Sequence, residues 1–531
     1  MKTIFTFSLL IISYFAAAQE FVLIRFNDKP SSATYFANPT SMLSQKALDR
    51  REKYNIELNM QDVPVEQTYI SQVIALGIEP VVISKWFNGI FAELTQTQIT
   101  QIENLPFVQE VETFVKSNGF QKNENYQVQD KFNVENEVTD FVYGTTEEQI
   151  TQLSLDYLHN LGFTGEGITI AVLDAGFPGV DVANGFNYLR DNGKIKGGYN
   201  FVDDNDSFYT RGSHGTIVLS SIGGYIENQY VGTAIDSDFY LFITEKTEEE
   251  IPQEEAWWIA GAERADSIGV DVINTSLGYN EFDDSRYNYQ YEDMNGQTAF
   301  ITRGAQIASE KGIMVVNSAG NAGDSEWHYI TAPADGIDIF TIGSVRSNGN
   351  PSGFSSYGPT ADGRIKPDVS ARGSDALVIT PDGNIDTASG TSLSSPIMAG
   401  AMACFIQAFP EVQPSALRQQ VRESASHFNN PTNQLGYGIP DFEKAYNNLL
   451  SVSEVSSENS ISIYPNPTKG FINVQSDKEI KSLQLISVEG KVIRKNLDST
   501  QIDLNGLPNG IYFLKVELSN GRIQFEKVVK K

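Results

Sequence analysis

The pattern of apolar positions changes twice along the chain. Phe21-Val22-Leu23-Ile24-Arg25-Phe26 alternates as a strand does and residues 95–104 carry helical spacing, so residues 21–113 predict a small α/β unit of strand, helix and strand. From about residue 140 to 450, short β-branched runs alternate with helical stretches. Ile168-Thr169-Ile170-Ala171-Val172-Leu173, Val270-Asp271-Val272-Ile273-Asn274 and Ile313-Met314-Val315-Val316-Asn317 are three such runs. Continuous apolar strands separated by helices predict a parallel sheet covered on both faces. Beyond residue 460 the runs shorten, as in residues 491–494 and 511–516, and turns at Glu489-Gly490, Pro508-Asn509-Gly510 and Asn520-Gly521 divide them. That pattern predicts a small all-β sandwich.

Polar stretches separate these regions. Residues 116–139, rich in Asn, Gln, Glu and Lys, read as a linker and a place for proteolytic release, and the Ser- and Glu-rich residues 451–460 read as a second connector. At the start, Lys2, an apolar run over residues 4–15 and Ala16-Ala17-Ala18 before Gln19 have the form of a secretory signal peptide. The run is too short to cross a bilayer of ~30 Å, and no later stretch supplies ~20 consecutive apolar residues, so no integral membrane segment is expected. The divisions expected are 1–18 signal peptide, 19–115 N-terminal α/β unit, 116–139 linker, 140–450 central domain, 451–460 connector and 461–531 C-terminal sandwich.

Composition narrows the partners. The formal charge of -29, from 67 acidic and 38 basic residues, opposes binding to phosphate backbones, so nucleic acid is excluded as a partner. The single cysteine, Cys404, rules out an intrachain disulfide and lies in an apolar run, where a free thiol behaves as a small hydrophobe. His159, His328 and His427 show no metal-ligand spacing with one another or with Cys404, which counts against a zinc centre. The acidic residues Asp283, Asp284, Glu292 and Asp293 could hold calcium, but without an ordered Asp-loop spacing residues 281–293 read better as a solvated insertion.

Ligands of parallel sheets bind outside the carboxyl ends of the strands, so the polar residues that follow the apolar runs are the ones to examine. Asp174 ends one run in Leu173-Asp174-Ala175-Gly176, placed to hold an imidazole in one tautomer. His214, in Ser213-His214-Gly215-Thr216, precedes a helical run. Ser392, in Gly390-Thr391-Ser392-Leu393-Ser394-Ser395-Pro396, opens another, whose N-terminal amides favour developing negative charge, and Pro396 suits a first helical turn. An activated nucleophile, a base and a group that orients the base are what acyl transfer requires, together with donors for an oxyanion. Singly, each residue reads as a cap or loop group. Jointly, in the order Asp, His, Ser, they form a triad pattern.

On these motifs the central region resembles a catalytic domain of the subtilisin family, the subtilases. Gly390-Thr391-Ser392 with Ser395-Pro396 matches the family's Ser motif, His214-Gly215-Thr216 its His motif, Asp174-Ala175-Gly176 its Asp motif and Ala319-Gly320-Asn321 its oxyanion asparagine motif. The resemblance implies a secreted serine endopeptidase acting on proteins or peptides through an acyl-enzyme, with Asp174, His214 and Ser392 as the triad and Asn321 in the oxyanion hole. It implies also that Ser276-Leu277-Gly278 pairs with substrate backbone beside the P1 pocket, that no cofactor serves the chemistry, and that structural calcium is an option. Ala175 and Ile217 depart from the family pattern, where a hydroxyl residue and a second histidine are common. Trp86 to Leu94 and Leu105 to Glu112 resemble the inhibitor prodomain of subtilases, which implies that the chain's own N-terminal unit blocks its cleft. Ile463-Tyr464-Pro465-Asn466-Pro467-Thr468-Lys469-Gly470, with basic residues over 527–531, resembles the sorting domain of type IX secretion cargo. Passage through the periplasm and export by that machinery to the cell surface or medium are implied. The rival readings are a non-catalytic subtilase-like binding protein and an α/β-hydrolase esterase; Leu393-Ser394 after Ser392 does not supply the Gly-x-Ser-x-Gly that the esterase requires.

Overall fold

The computed structural model describes residues 19–116, 142–455, 461–476, 479–487, 491–497, 499–519 and 523–531. The signal peptide and all but the first residue of the linker over 116–139 lie outside the described residues. Two compact units are present, Met1–Tyr446 and Asn447–Lys531.

The N-terminal region forms an antiparallel sheet of β1 (Gln19–Phe26), β2 (Val82–Ser84), β3 (Gly89–Thr95) and β4 (Val108–Thr113), in the order β2-β3-β1-β4. Both faces of β1 are used. Val22, Ile24 and Phe26 pack with Ile90, Ala92 and Ile99 in a core of the region's own. Phe21 and Leu23 point the other way, with Phe91 and Phe114, into a core shared with Trp257, Trp258 and Phe300 of the central domain. The rings of Phe114 and Phe300 stack 3.6 Å apart at 10°.

In the central domain seven strands form a wholly parallel sheet: β5 (Thr169–Asp174), β6 (Ile195–Asn200), β7 (Asp238–Ile243), β8 (Val272–Thr275), β9 (Met314–Ser318), β10 (Phe340–Val345) and β11 (Val369–Arg372). Their order is β11-β10-β9-β8-β5-β7-β6. Every residue of β5, β8 and β9 is buried, as expected of strands covered on both faces. Helices Gln253–Ile268 and Phe300–Glu310 pack together beside β5, β7 and β9, and helices His214–Gly223 and Thr391–Ala408 pack together against β5 and β8 to β11. The three runs that the apolar pattern marks as strands are β5, β8 and β9.

A strap in the N-terminal region, centred on helix Gln45–Lys53, reaches the amino ends of this sheet. Lys46 pairs with Asp271, just before β8, at 2.8 Å, and the Asp271 carboxylate also accepts the Thr169 N–H at the start of β5 at 2.9 Å. Arg50 and Arg51 are buried and share Asp266 at 2.6 and 2.8 Å, while Asp62 takes Arg51 at 2.9 Å and Lys311 at 3.2 Å. Arg50 also donates to the Val270 carbonyl, and Arg51 to that of Lys311. Nearby, the buried Glu263 carboxylate accepts from Ser84 Oγ at 2.5 Å, Trp86 N–H at 3.0 Å and Lys85 N–H at 3.1 Å.

Two sequence expectations need correction. Residues 281–293 are not a solvated insertion: Phe282, Tyr287 and Tyr289 are buried while Glu281, Asp283 and Glu292 stay exposed. Tyr287 Oη accepts the Phe21 N–H at 3.0 Å, and Tyr289 Oη donates to Glu255 at 2.9 Å. The interleaved acids made an anchored segment look wet. The connector also begins later than residue 451, because helix Phe442–Val455 continues through its first five positions. In the C-terminal unit, a three-stranded and a four-stranded antiparallel sheet enclose Ile472, Leu483, Leu485, Ile502, Leu514 and Val516, which is the expected sandwich architecture.

Candidate active site

Asp174 is the last residue of β5, buried to 2% exposure. Its Oδ1 accepts the N–H of Ala175 at 2.7 Å and faces His214 Nδ1 at 2.8 Å; its Oδ2 is buried with no partner among the described residues. A hydroxyl at position 175 could have filled that vacancy, and alanine does not. His214 opens its helix with a side chain 38% exposed, so one imidazole edge is fixed by the carboxylate and the other faces the cleft. Burial pulls the imidazole down, but the Asp174 charge and hydrogen bond outweigh it, leaving His214 above its ordinary value.

Ser392 is the second residue of the helix Thr391–Ala408. Pro396 therefore lies in the second turn rather than the first. A proline there leaves the carbonyl four residues back without its helical donor, and that carbonyl belongs to Ser392. Ser276 Oγ fills the gap at 2.9 Å. Asn274 Nδ2 donates to Ser276 Oγ at 3.2 Å, and Ser395 Oγ donates to Asn274 Oδ1 at 3.0 Å, closing a buried polar circuit between the end of β8 and the Ser392 helix. The sequence motif Ser392 to Pro396 carried this signal, because a proline one turn after a serine frees that serine's carbonyl.

Asn321 follows β9 through Gly320, whose φ of +105° only glycine adopts freely. The Asn321 Oδ1 accepts both the N–H and the hydroxyl of Thr391, at 2.8 and 2.9 Å. The amide is thereby held with its Nδ2 as the remaining donor. A Cβ on Gly390 would lie 2.7 Å from Ser392 Oγ and 3.6 Å from Asn321 Nδ2, so both groups border one point. Thr391, which sequence reasoning treated only as part of a motif, orients the asparagine.

Leu277 and Gly278 continue from Ser276 as an extended segment. The Leu277 carbonyl accepts from Asn317 Nδ2 at 3.3 Å, and Tyr279 exchanges backbone hydrogen bonds of 2.8 and 3.1 Å with Ala332. Among the described residues the N–H of Leu277 and both backbone groups of Gly278 have no partner, an open edge to which an extended peptide could add. Behind it, Tyr279 Oη lies 2.5 and 2.6 Å from the two oxygens of Glu245, and burial with neighbouring Glu254 pushes the Glu245 carboxyl well up.

The structure thus joins Asp174 to His214, and Ser392 to Ser276, with Asn321 beside it. No hydrogen bond links His214 to Ser392 Oγ among the described residues; such contacts often tighten only around substrate. The remaining candidates are structural. Cys404 is buried, with its thiol pushed up by burial and donated to the Thr233 carbonyl at 3.2 Å. His159 is buried between Tyr143 Oη and the Thr233 carbonyl, each 3.0 Å away. Among the described residues no group of three or more His, Cys, Asp or Glu is placed to hold a metal ion.

Three family models match the chain: the subtilase family over residues 165–438, the peptidase S8 propeptide domain of Bacteroidota over 21–131, and the secretion system C-terminal sorting domain over 462–531. Among curated proteins the chain is similar to the serine protease AprX of Bacillus subtilis, 27% identical over 56% of this chain and 67% of that protein. It is similar also to a thermostable alkaline protease of Halalkalibacterium halodurans, 24% identical over 75% of this chain and 92% of that protein. The subtilisin-like protease SBT6.1 of Arabidopsis thaliana is 26% identical over 57% of this chain, which spans only 28% of that longer relative.

Proposed function

Because the chain belongs to the subtilase family, we propose that it is the precursor of a serine endopeptidase that cleaves protein or peptide substrates by way of an acyl-enzyme. The Asp174–His214 hydrogen bond of 2.8 Å through Nδ1 carries this reading, because it leaves Nε2 as the base. His214 takes the Ser392 Oγ proton as that oxygen attacks the substrate carbonyl, and returns it to the leaving amine. Asp174 holds the tautomer and stabilises the imidazolium. Asn321 Nδ2 and the Ser392 N–H receive the oxyanion, and a water repeats the sequence to release the acyl group. Gly278 and the Leu277 N–H pair with the substrate backbone. No cofactor takes part.

The N-terminal region, docked through the shared aromatic core and the Glu263 and Asp266 contacts, supports the role of an intramolecular inhibitor released after a cut in the linker. The match to the sorting domain supports export by the type IX machinery to the cell surface or medium. A fluorophosphonate probe tests the catalytic claim. Processed wild-type protein takes up the probe and hydrolyses a protein substrate, and Ser392→Ala does neither. A folded wild type that stays unlabelled and inactive would return the chain to the non-catalytic, substrate-binding reading.

A further inference from the structure

Lys46 and Arg50 stand one turn apart on the helix Gln45–Lys53, with Arg51 beside them, at positions where a docked helix usually carries apolar residues. All three cations meet the amino ends of the central sheet. Arg50 and Arg51 share Asp266, and Lys46 pairs with Asp271 and reaches the hydroxyl of Thr169, the first residue of β5. The candidate triad is at the other end of that strand. Asp174 is the last residue of β5, about 17 Å further along a strand of six residues. The strap therefore does not fill the cleft, and what its contacts supply is attachment.

Both ends of the strap helix are held as well as its middle. The Ser44 N–H donates to the Ser267 carbonyl at 2.8 Å, and Gln413 Nε2 donates to the Tyr54 carbonyl at 3.0 Å. The central domain also leaves room for it: a Cβ on Gly269 would lie 2.8 Å from the Ala47 nitrogen, and one on Gly312 would lie 2.9 Å from Ile56 Cδ1. Within the N-terminal region, Lys29 ties the strap to the sheet. It follows β1, is 3% exposed, and its Nζ donates to the carbonyls of Met60, Val63 and Lys85 at 2.6, 2.5 and 2.7 Å. Met60 and Val63 belong to the exit of the strap, and Lys85 to the turn between β2 and β3, whose N–H groups Glu263 accepts. Sheet and strap thus form one stiff body with two footholds, one on the aromatic core and Glu263, the other at the strand starts.

We propose that the strand-start surface around Asp266 and Asp271 is a second docking site for the N-terminal region, specific for a helix that presents Lys and Arg, and that it keeps the region on the enzyme after the linker has been cut. The inference rests on the reading of that region as the inhibitor of a protease. Two footholds joined stiffly bind as a pair. When one lets go, the other holds it at high effective concentration, and the gain over either foothold alone is about 10²–10⁴ without any new contact. A cut in the linker removes the covalent tether and leaves both footholds in place. Because Arg50, Arg51 and Asp266 are buried, salt screens their attraction little, so the hold survives ionic strengths that weaken exposed pairs.

The test uses the full chain with Ser392→Ala and a recognition sequence for a site-specific protease placed in the linker, cut there and passed over a native size-exclusion column at successive dilutions. The N-terminal fragment is expected to co-elute with the rest, and Arg50→Gln with Arg51→Gln should weaken that association by about 10²-fold or more. Lys46→Gln, which touches only a half-exposed pair, should weaken it measurably but by less. Where the double variant does not fold, hydrogen exchange on the cut wild-type strap decides, and the amides of residues 45–53 should stay protected. A fragment with the wild-type strap that leaves as fast as the double variant's, or amides over 45–53 that lose protection once the linker is cut, overturns the second site. In protein with Ser392 intact, cut in the same way, fluorophosphonate labelling should be slower with the wild-type strap than with the double variant, and equal rates overturn the claim that the strap retains the inhibitor. A protein never labelled, even after the fragment has been washed away, overturns the protease reading and leaves the docking result standing.

Discussion

The sequence marks Asp174 as a candidate because it is a polar residue directly after a continuous apolar run, Asn321 because the Ala319-Gly320-Asn321 motif comes shortly after another, and His214 and Ser392 because each stands at a helix start. It does not mark the hydrogen bonds that tune them. Nothing in the pattern shows that Thr391 holds the Asn321 amide, that Ser276 caps the carbonyl freed by Pro396, or that Asp174 keeps one oxygen unpaired. These depend on which loops meet. Two consequences follow for single residues. The base must be neutral, so kcat/KM should rise with pH as His214 loses its proton, and the midpoint of that rise should lie above 6.5, the ordinary imidazole value. Asp174→Asn removes the charge that raises it, so a pH profile of the variant should show a much lower rate and a midpoint moved downward. Asn321→Ala should reduce kcat by about 10²–10³, the range established for this donor in subtilisin itself, with KM little changed. A purified Asn321→Ala protein with wild-type kcat would remove the residue from the oxyanion hole.

Strands β5, β8 and β9 were legible as elements because burial on both faces writes itself as an unbroken apolar run. The strap helix Gln45–Lys53 was not. Its sequence, Gln45-Lys46-Ala47-Leu48-Asp49-Arg50-Arg51-Glu52-Lys53, has no apolar stripe, and it is buried through charge. Arg50 and Arg51 are 3% and 2% exposed and draw on one carboxylate, Asp266. Removing one partner of a buried ion pair leaves the others in low dielectric without compensation. Asp266→Ala in an uncleavable Ser392→Ala precursor should therefore lower stability by about 3–5 kcal/mol, read as a shift of the denaturant midpoint. A shift within error of zero would mean that the strap is not held by this network. The aromatic anchors at residues 282–289 were hidden in the same way, Phe282 between the exposed acids Glu281 and Asp283, and Tyr287 and Tyr289 among polar neighbours.

For the molecule as a whole, the three-part plan was legible because composition shifts sharply at residues 116–139 and again near 460. The docking of the first part on the second was not, since it is made by contacts between residues some 200 positions apart. Intact mass spectrometry of the precursor at neutral pH should show wild type losing the segment before about residue 140 while Ser392→Ala stays whole. Deleting residues 461–531 should leave the protease active but retained in the periplasm of a host with the type IX machinery, measured by activity in cell fractions. The strap bears also on time. A parallel sheet joins strands distant in sequence, and the entropy of closing those loops is spent before their contacts form. Lys46, Arg50 and Arg51 touch the chain at or just ahead of the starts of β5, β8 and β9 together, so an N-terminal region that folded first would set three strand starts side by side. Once that region has been cut away, nothing offers the same template again. The exported enzyme then persists for as long as its unfolding barrier lasts, and its working life is a clock that starts at maturation and is not rewound.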